Sequence, residues 1–171
     1  MEPKAARQVQ YRRMVLEDVL QVHAIDTASF SLPWPESSFR YELTENKASR
    51  CWVAEAVEAS GGKQIVGMLC QWLIIDEAHI GTIAVHPEFR HQGIGKHLLA
   101  TALLAAYQEG VRQVYLEVRR SNVNAQKMYR QFGFEVTNVR PRYYTDNGED
   151  ALLMTLMRIV PGELKRQLEG F

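Results

Sequence analysis

The chain has 171 residues, and its 20 lysines and arginines balance its 20 aspartates and glutamates. This balance excludes a global electrostatic attraction to nucleic acid or to an anionic membrane, and no apolar run approaches the ~20 residues of a membrane span. The length suits a single domain over residues 1–171 with one sizeable core. The N-terminal residues lack the apolar segment of a secretory signal, so we expect a cytoplasmic protein.

The first half of the chain predicts three strands and two helices. Apolar residues alternate in the strands and recur at helical spacing in the helices. Pro35 suits the first turn of the second helix, and a Ser-Gly-Gly turn makes the last two strands an antiparallel hairpin. The predicted elements are a strand at Val9–Arg13, helices at Glu17–Ser29 and from Pro35 to about Glu45, and strands at Trp52–Val57 and Ile65–Ile75. Residues 1–7 are predicted to be frayed.

The second half predicts strand–helix–strand units, in which Gly110 and Gly133 are typical helix stops. The predicted elements are strands at Ile80–Val85, Val114–Val118, Phe134–Val139 and about Ala151–Ile159, and helices at Gly93–Gln108 and Asn124–Phe132. Antiparallel strands followed by strand–helix–strand units predict an α/β (α+β) fold. We expect a mixed, mostly antiparallel central sheet with helices on both faces.

The two cysteines, Cys51 and Cys70, fall on the two strands of the predicted hairpin. A disulfide between neighbouring strands is usually strained, and a cytoplasmic thiol stays reduced. We therefore interpret both cysteines as small buried apolar residues. No grouping of histidines or cysteines has the spacing of metal ligands, so no metal is expected.

The most informative segment is Arg90–Lys96, which reads Arg-His-Gln-Gly-Ile-Gly-Lys at the entry to a predicted helix. Its two glycines let the backbone approach a ligand closely, and the helix N-terminus presents N–H groups and a positive dipole end. Lys96 adds a full charge, so the segment suits a phosphate or diphosphate. Two glycines before a helix are equally typical of a simple tight turn. The segment is neither a P-loop nor a complete dinucleotide fingerprint.

Downstream residues extend this segment into a family resemblance. Arg90-x-x-Gly93-x-Gly95 is followed by Leu116-Glu117-Val118-Arg119, Ser121-Asn122, Ala125, Tyr129 and Gly133-Phe134. Together these residues resemble the GNAT N-acetyltransferases, and more narrowly the RimI group, the ribosomal-protein-alanine N-acetyltransferases. Further matches to that group are Pro33-Trp34, Asp76-Glu77-Ala78, Arg142-Tyr143-Tyr144 and Gly148-Glu149-Asp150-Ala151. The resemblance runs from about residue 9 to residue 158.

The resemblance implies acetyl-CoA as the co-substrate, without a metal. In the family the helix entry binds the diphosphate, the preceding strand pairs with the pantetheine arm, and a residue after the next strand adds a contact. The corresponding residues here are His91, Gln92, Gly93, Ile94, Gly95 and Lys96, then Ile83, Ala84 and Val85, and finally Asn122. On residue types alone, the strand residues suit a buried central strand, and Asn122 suits a helix cap.

Glu117 interrupts a predicted strand that is otherwise mostly apolar. A carboxylate in such a strand is either a solvent-facing alternate residue or a placed base, and periodicity alone favours the solvent-facing interpretation. The resemblance reverses this preference, because Glu117 matches the family's general base. Partial burial is then expected to raise its pKa toward neutrality.

Tyr129 lies near the end of the next predicted helix, four residues before Gly133. A tyrosine in this place is usually part of the core, with its hydroxyl at the rim. The resemblance implies instead that Tyr129 is the general acid that protonates the coenzyme A thiolate. Phenol and thiol pKa values differ by only about 1–2 units on model scales, so the two groups can share a proton.

The resemblance also implies that Trp34, Tyr143 and Tyr144 enclose the acceptor peptide. On residue types alone, the two tyrosines are equally well an aromatic pair at the tip of a hairpin. Asp150 suits either an outward strand residue or a peptide contact.

These matches imply an acetyl-CoA-dependent N-alpha-acetyltransferase acting on a protein N-terminus. The expected acceptor is the N-terminal alanine of a small-subunit ribosomal protein. The implied roles include a base and an acid but no carrier for the acetyl group, which favours direct transfer in a ternary complex. An α-amine titrates at about 7.7–8.0 and a lysine at about 10.4, so a single carboxylate base suits the α-amine better. We expect no direct nucleic acid or membrane partner, and a monomer or weak dimer.

Two alternatives stay open at this point. The first is a GNAT enzyme of broad protein N-terminal or small-amine specificity. The second is a non-catalytic acyl-CoA-binding module, against which the presence of both Glu117 and Tyr129 argues.

Overall fold

The computed structural model describes residues 8–170, so the prediction that residues 1–7 are frayed lies outside the described residues. Within this part of the chain are seven strands and five α-helices, with short 3-10 turns at Leu16–Asp18 and Pro87–Phe89. The strands are β1 (Gln8–Arg13), β2 (Ser49–Val57), β3 (Lys63–Ile74), β4 (Glu77–Val85), β5 (Gln113–Arg119), β6 (Glu135–Arg140) and β7 (Ala151–Leu156). The helices are α1 (Val19–Ser29), α2 (Glu36–Thr44), α3 (Ile94–Gln108), α4 (Val123–Gln131) and α5 (Pro161–Glu169).

The described strands form one sheet in the order β1-β2-β3-β4-β5-β7-β6. Antiparallel pairs join β1 to β2, β5 to β7 and β6 to β7. Strands β4 and β5 run parallel, with Glu77–Ile80 opposite Gln113–Leu116. The mixed α/β sheet predicted from the sequence is therefore confirmed.

The described residues form two compact units. The first contains the residues up to Cys70 together with Thr82–Leu99, and the second contains Gln71–Gly81 and the residues from Ala100 onward. The chain crosses between the units three times, within β3, within β4 and within α3. The single domain inferred from length stays a prediction.

In the first unit, alternate residues of β2 join two apolar clusters. Cys51 and Val53 pack in a cluster with α1 and α2, where Phe39 is fully buried. Ala54 and Ala56 pack in a second cluster with the start of α3. Because successive strand residues point to opposite faces, helices cover both faces of the sheet in this unit, as the sequence predicts.

Gly67 on β3 permits a close approach of α3 within the first unit. A Cβ atom at this position would lie 2.9 Å from Leu98 Cδ1 and 3.2 Å from Ile94 Cγ2. A larger residue would therefore push the first turns of α3 away from β3. This glycine helps to place the N-terminus of the helix that carries the glycine-rich entry.

In the second unit, β5 alternates between two environments. Val114, Leu116 and Val118 are buried, whereas Tyr115, Glu117 and the two end residues are half-buried. A shift of one residue would move Glu117 into the core and the valines out of it. The apolar set therefore fixes the face on which Glu117 lies.

The C-terminal region differs from the prediction. Strand β7 ends at Leu156 rather than at Ile159, and the unpredicted helix α5 follows. Pro161 occupies its first turn, where a missing N–H costs nothing, and Leu164 is the residue that it buries. So short an apolar pattern among charged residues does not identify a helix. No helix in residues 8–170 is long and apolar enough to cross a membrane.

Candidate active site

The glycine-rich segment forms a tight loop that leads into α3. His91 has a φ of 60° and Gly93 a φ of 81°, and the helix begins at Ile94. The left-handed conformation is uncommon for histidine. The N–H groups of a first helical turn have no partner within the helix and lie at its positive end. Together with the partly exposed Lys96, they provide the donors and charge that an anion requires.

Arg90 connects this loop to other parts of the first unit by hydrogen bonds. Its Nε donates to the Val85 carbonyl at 2.9 Å, and one of its terminal nitrogens donates to the Ser29 hydroxyl at 3.0 Å. The guanidinium is thus directed toward the end of β4 and α1. The positive character of the helix entry comes from Lys96 and the helix dipole.

The strand before the loop keeps its side chains packed. Ala84 is buried, and Ile83 and Val85 are half-buried. The parallel ladder of β4 has its last pair at Ile80, so Ile83–Val85 lie beyond it. The buried-strand interpretation agrees with this packing, and a ligand would meet these residues through their backbone.

Trp34 in the first unit is held by a buried carboxylate. Its backbone N–H donates to Asp26 Oδ2 at 2.7 Å, and the Thr82 hydroxyl donates to Oδ1 at 3.3 Å. The half-buried indole lies 5.3 Å from the Phe39 ring centroid. Its proposed contact with an acceptor peptide stays a prediction.

Glu117 lies between two basic side chains in the second unit. His79 Nε2 is 2.6 Å from its Oε2, and a terminal nitrogen of Arg140 is 3.4 Å from its Oε1. The Glu117 side chain is only 11% exposed. The solvent-facing interpretation drawn from periodicity is therefore wrong, and the assignment as a base stays a prediction.

The expected rise in the pKa of Glu117 is also wrong. Burial does raise its pKa, but the hydrogen bond from His79, the positive charge of Arg140 and that of His79 when its ring is protonated outweigh burial, so the pKa is lowered from its usual value. The carboxylate is therefore ionised at neutral pH. It is also a weaker base than an isolated buried glutamate would be.

Tyr129 packs into the core of the second unit. It is 5% exposed, and its ring centroid lies 5.8 Å from that of Phe134. Burial, with a smaller contribution from Tyr144, raises the pKa of Tyr129 well above that of a free phenol. The expected similarity between its pKa and that of a thiol is therefore wrong, because desolvation disfavours the phenolate. The core-packing interpretation is confirmed, and the role of general acid stays a prediction.

Asn122 caps helix α4. Its Oδ1 accepts a hydrogen bond from the Ala125 N–H at 3.2 Å, so the helix-cap interpretation is confirmed. A contact between its amide and coenzyme A stays a prediction.

Residues 141–150 connect β6 to β7, and Arg119 at the end of β5 holds this loop. Its guanidinium donates to Asp146 at 2.8 Å and to Glu149 at 3.3 Å. Glu149 in turn accepts the backbone N–H of Ser121 at 2.7 Å. Bonds from one fork of donors to two carboxylates fix the loop in orientation as well as position.

The aromatic pair of this loop rests on the same arginine. The Arg119 guanidinium carbon lies 3.9 Å from the Tyr144 ring centroid, and Tyr143 stands edge-on to Tyr144 at 5.2 Å. Burial raises the pKa of Tyr144 to about 12, whereas Tyr143 is 46% exposed. Asp150 accepts the Arg142 backbone N–H at 3.0 Å, so it shapes the loop. Peptide contacts of the two tyrosines stay a prediction.

Both cysteines, Cys51 and Cys70, are free and buried, which confirms their interpretation as small buried residues. Burial raises the pKa of the Cys70 thiol, as expected for a thiol of low reactivity. Within residues 8–170, no group of three or more His, Cys, Asp or Glu side chains is placed to hold a metal ion.

The sequence alone assigned no role to three basic residues of the second unit: His79 and Arg140, and Arg119, which is part of the Leu116-Glu117-Val118-Arg119 motif. Arg119 had a local signal, because it follows Glu117 by two residues on the same face of β5. His79 also alternates with the buried Ala78 and Ile80. The strand pairing that brings it to Glu117 is not a local feature, so no short pattern predicts this contact.

The fold, the glycine-rich entry to α3 and the residues around Glu117 agree with one family. The sequence pattern of the acetyltransferase (GNAT) family matches residues 19–134. The chain therefore belongs to the acetyltransferase (GNAT) family, which confirms the resemblance drawn from its motifs.

Individual relatives of the chain show which members of this family it is similar to. A Bacillus subtilis protein with the provisional name ribosomal protein bS18-alanine N-acetyltransferase is 40% identical over 154 residues, which cover 90% of this chain and 96% of the relative. The ribosomal protein bS18-alanine N-acetyltransferase of Escherichia coli K12 is 32% identical over 141 residues, covering 81% of this chain and 90% of the relative.

Solved structures give the same picture of the fold. The crystal structure of the ribosomal-protein-S18-alanine N-acetyltransferase from Escherichia coli matches with a TM-score of 0.78 and 26% identity, covering 90% of this chain and 96% of that chain. Arabidopsis thaliana NAA60 in complex with acetyl-CoA matches with a TM-score of 0.77, covering 87% of this chain and 98% of that chain. Its 17% identity makes this a likeness of fold alone.

Proposed function

We propose that the protein is an acetyl-CoA-dependent N-alpha-acetyltransferase that modifies the N-terminal alanine of a small-subunit ribosomal protein. The observation that carries this proposal is 40% identity, over 90% of the chain, to a relative provisionally named for that reaction. We further propose that it works in the cytoplasm as one domain, as a monomer or weak dimer, without direct nucleic acid or membrane contacts.

The helix entry suits the diphosphate of acetyl-CoA. Two left-handed residues, His91 and Gly93, turn the chain into α3, and Gln92, Ile94, Gly95 and Lys96 complete the proposed cradle. The backbone of Ile83, Ala84 and Val85 is assigned to the pantetheine arm, and the side-chain amide of Asn122 to a further contact. When bound, acetyl-CoA supplies an acetyl group activated as a thioester.

Glu117 is assigned to the proton that the acceptor ammonium must lose. Its ionised state at neutral pH, favoured by His79 and Arg140, suits a negative group that attracts an ammonium. Tyr129 is assigned to the proton that the departing thiolate takes up. Its raised pKa keeps the phenol protonated, so it first donates a hydrogen bond to the developing negative charge.

The loop of residues 141–150 is assigned to the acceptor peptide. Its order depends on Arg119, which contacts both carboxylates and the Tyr144 ring. The exposed Tyr143 offers an apolar ring with a polar tip, which suits a peptide backbone. Trp34 is assigned to the same peptide.

A peptide panel tests this proposal. The purified protein is incubated with acetyl-CoA and with peptides that begin with alanine, with other residues, or with a blocked alanine before an internal lysine. Mass spectrometry should find one acetyl group on the free N-terminal alanine and none on the blocked peptide. Acetylation of lysine alone, or binding of acetyl-CoA without turnover, would overturn the proposal and favour a small-amine enzyme or a non-catalytic module, respectively.

A further inference from the structure

The contact between His79 and Glu117 is built into the sheet. In the parallel ladder His79 on β4 lies opposite Tyr115 on β5, and Glu117 follows Tyr115 on the same face. The two side chains meet with Nε2 and Oε2 2.6 Å apart. A distance this short between an imidazole and an ionised carboxylate is typical of a charge-assisted hydrogen bond.

Two aromatic rings hold the imidazole of His79. It stacks on Tyr115 with ring centroids 4.7 Å apart and an interplanar angle of 25°. Trp72 meets it edge-on at 5.2 Å. Trp72 also covers Gly81, where a Cβ atom would lie 2.7 Å from the indole. The ring therefore cannot turn without displacing neighbours, and only a glycine leaves room for the indole.

The bond to Glu117 fixes which nitrogen of His79 carries a proton. An ionised carboxylate has no hydrogen to donate, so Nε2 must be the donor. Nδ1 is then the nitrogen that can accept a proton in the neutral ring. The His79 side chain is 23% exposed against 11% for Glu117, so the imidazole is the more accessible member of the pair.

Building on the proposed acetyltransferase activity, we propose a change to the role of Glu117 in it. His79 is the catalytic residue, and its Nδ1 takes the proton from the acceptor ammonium in place of the Glu117 carboxylate, which holds and charge-stabilises the ring through Nε2. The ammonium N–H bond breaks and an Nδ1–H bond forms. The resulting imidazolium keeps its Nε2–H bond to the carboxylate and later releases the proton from Nδ1 to water. The charged and titratable side chains that face the pair are Arg140, Tyr115 and Tyr144.

Basicity supports this division of roles. An α-ammonium titrates at about 7.7–8.0, and the pKa values of imidazoles as a class lie much nearer to that value than those of carboxylates do. The neighbours of Glu117 lower its pKa further, which weakens it as a direct base. A carboxylate that orients an imidazole, which then carries the proton, is an established arrangement in unrelated enzymes.

Two substitutions at His79 separate this role from mere positioning. His79→Phe keeps a ring between Trp72 and Tyr115 but has neither a donor nor a base. His79→Gln can still donate to Glu117 but lacks the basicity of an imidazole. We expect both to lower kcat by about 10²-fold or more, with unchanged acetyl-CoA affinity. The deficit should shrink at high pH, where the acceptor amine is already neutral.

Each other outcome has a definite meaning. Near wild-type kcat in His79→Phe would overturn the proposal. Recovery of activity in His79→Gln would show that His79 only positions Glu117, and would also overturn it. Loss of kcat in both variants, with partial rescue of a His79→Ala variant by added imidazole, would support it.

A second measurement does not depend on activity. Long-range proton–nitrogen spectra of histidine-labelled protein at pH 9 should show a proton on Nε2 of His79 and none on Nδ1, and Glu117→Gln should weaken this preference. The opposite tautomer would overturn the proposal even in an active enzyme. If the wild-type protein acetylates no α-amine while the expected tautomer is found, the proposed function fails, and only the hydrogen bond from His79 Nε2 to Glu117 is supported.

Discussion

The helix entry and the Glu117 cluster differ in how their parts are spread along the chain. The entry consists of consecutive residues, His91–Lys96, and offers mainly backbone N–H groups. The Glu117 cluster draws side chains from β4, β5 and β6, and 38 residues separate His79 from Glu117. A site made of backbone needs only a turn and a helix, whereas a site made of side chains needs a strand register. Local motifs therefore identify all of the helix entry, but only Glu117 of the Glu117 cluster.

The largest expected effect comes from removing the charge of the non-local cluster. Glu117→Gln keeps the shape of the side chain but loses the negative charge that His79 and Arg140 contact. Groups that take part in proton transfer typically contribute about 10²–10⁴-fold, so we expect kcat to fall within this range. Steady-state kinetics with an N-terminal alanine peptide measures it.

The exposed Glu135 at the start of β6 provides a matched control. Glu135→Gln makes the same change of charge outside the cluster and should leave kcat unaltered. Acetyl-CoA affinity should hold in both variants. Near wild-type turnover by Glu117→Gln between pH 6 and pH 9 would remove Glu117 from the mechanism and leave the helix entry unaffected.

A change at the helix entry should have the next largest effect. Gly93→Val places a β-branched residue at a φ of 81° and blocks approach to the backbone. Charge-assisted hydrogen bonds contribute about 1.5–3 kcal/mol each, so losing one weakens acetyl-CoA binding by roughly tenfold or more. Calorimetry gives the Kd directly.

Gly110→Val separates binding from backbone strain. Gly110 has a φ of 100° with open space around it, so its substitution carries a similar conformational cost without touching the entry. Both variants should lose stability in a thermal melt, but only Gly93→Val should lose acetyl-CoA affinity. Equal affinities in the two variants would contradict the cradle assignment.

The fold was more predictable from sequence than the side-chain contacts, for physical reasons. Alternation and helical spacing placed every described strand and four of the five helices, because the buried face repeats with the period of the element. The exception is α5, in which Leu164 is the buried residue. One buried apolar residue among polar ones does not give a helical repeat that predicts the element. The direction of the Glu117 pKa shift was missed because it depends on His79 and Arg140, which tertiary structure brings to it.

A moderate effect is expected when the loop of residues 141–150 loses its contacts with Arg119. Arg119→Ala removes the bonds to Asp146 and Glu149 and the contact with the Tyr144 ring. If this loop encloses the acceptor, KM for the peptide should rise several-fold while acetyl-CoA affinity stays constant. Replacing Tyr143 and Tyr144 together by Ala should raise the same KM.

Arg120→Ala is the neighbouring control for this loop. Arg120 is exposed and makes one 3.3 Å contact to Asp150, and exposed pairs contribute little. We expect its KM to match the wild type. A lower melting temperature with an unchanged KM in Arg119→Ala would make the loop a structural feature only.

The smallest expected effect concerns Asn122, which has both a structural and a proposed binding role. Asn122→Ala removes the cap on Ala125 and should cost about 0.5–2 kcal/mol of stability. Asn122→Ser keeps an oxygen that caps equally well but removes the amide donor. If Asn122 contacts coenzyme A, both variants should bind acetyl-CoA more weakly, and only the alanine variant should melt at a lower temperature. If the serine variant matches the wild type in both measurements, Asn122 is only a cap. The binding residues would then be confined to the backbone of β4 and the entry of α3, which would sharpen the contrast between a local backbone site and a dispersed side-chain site.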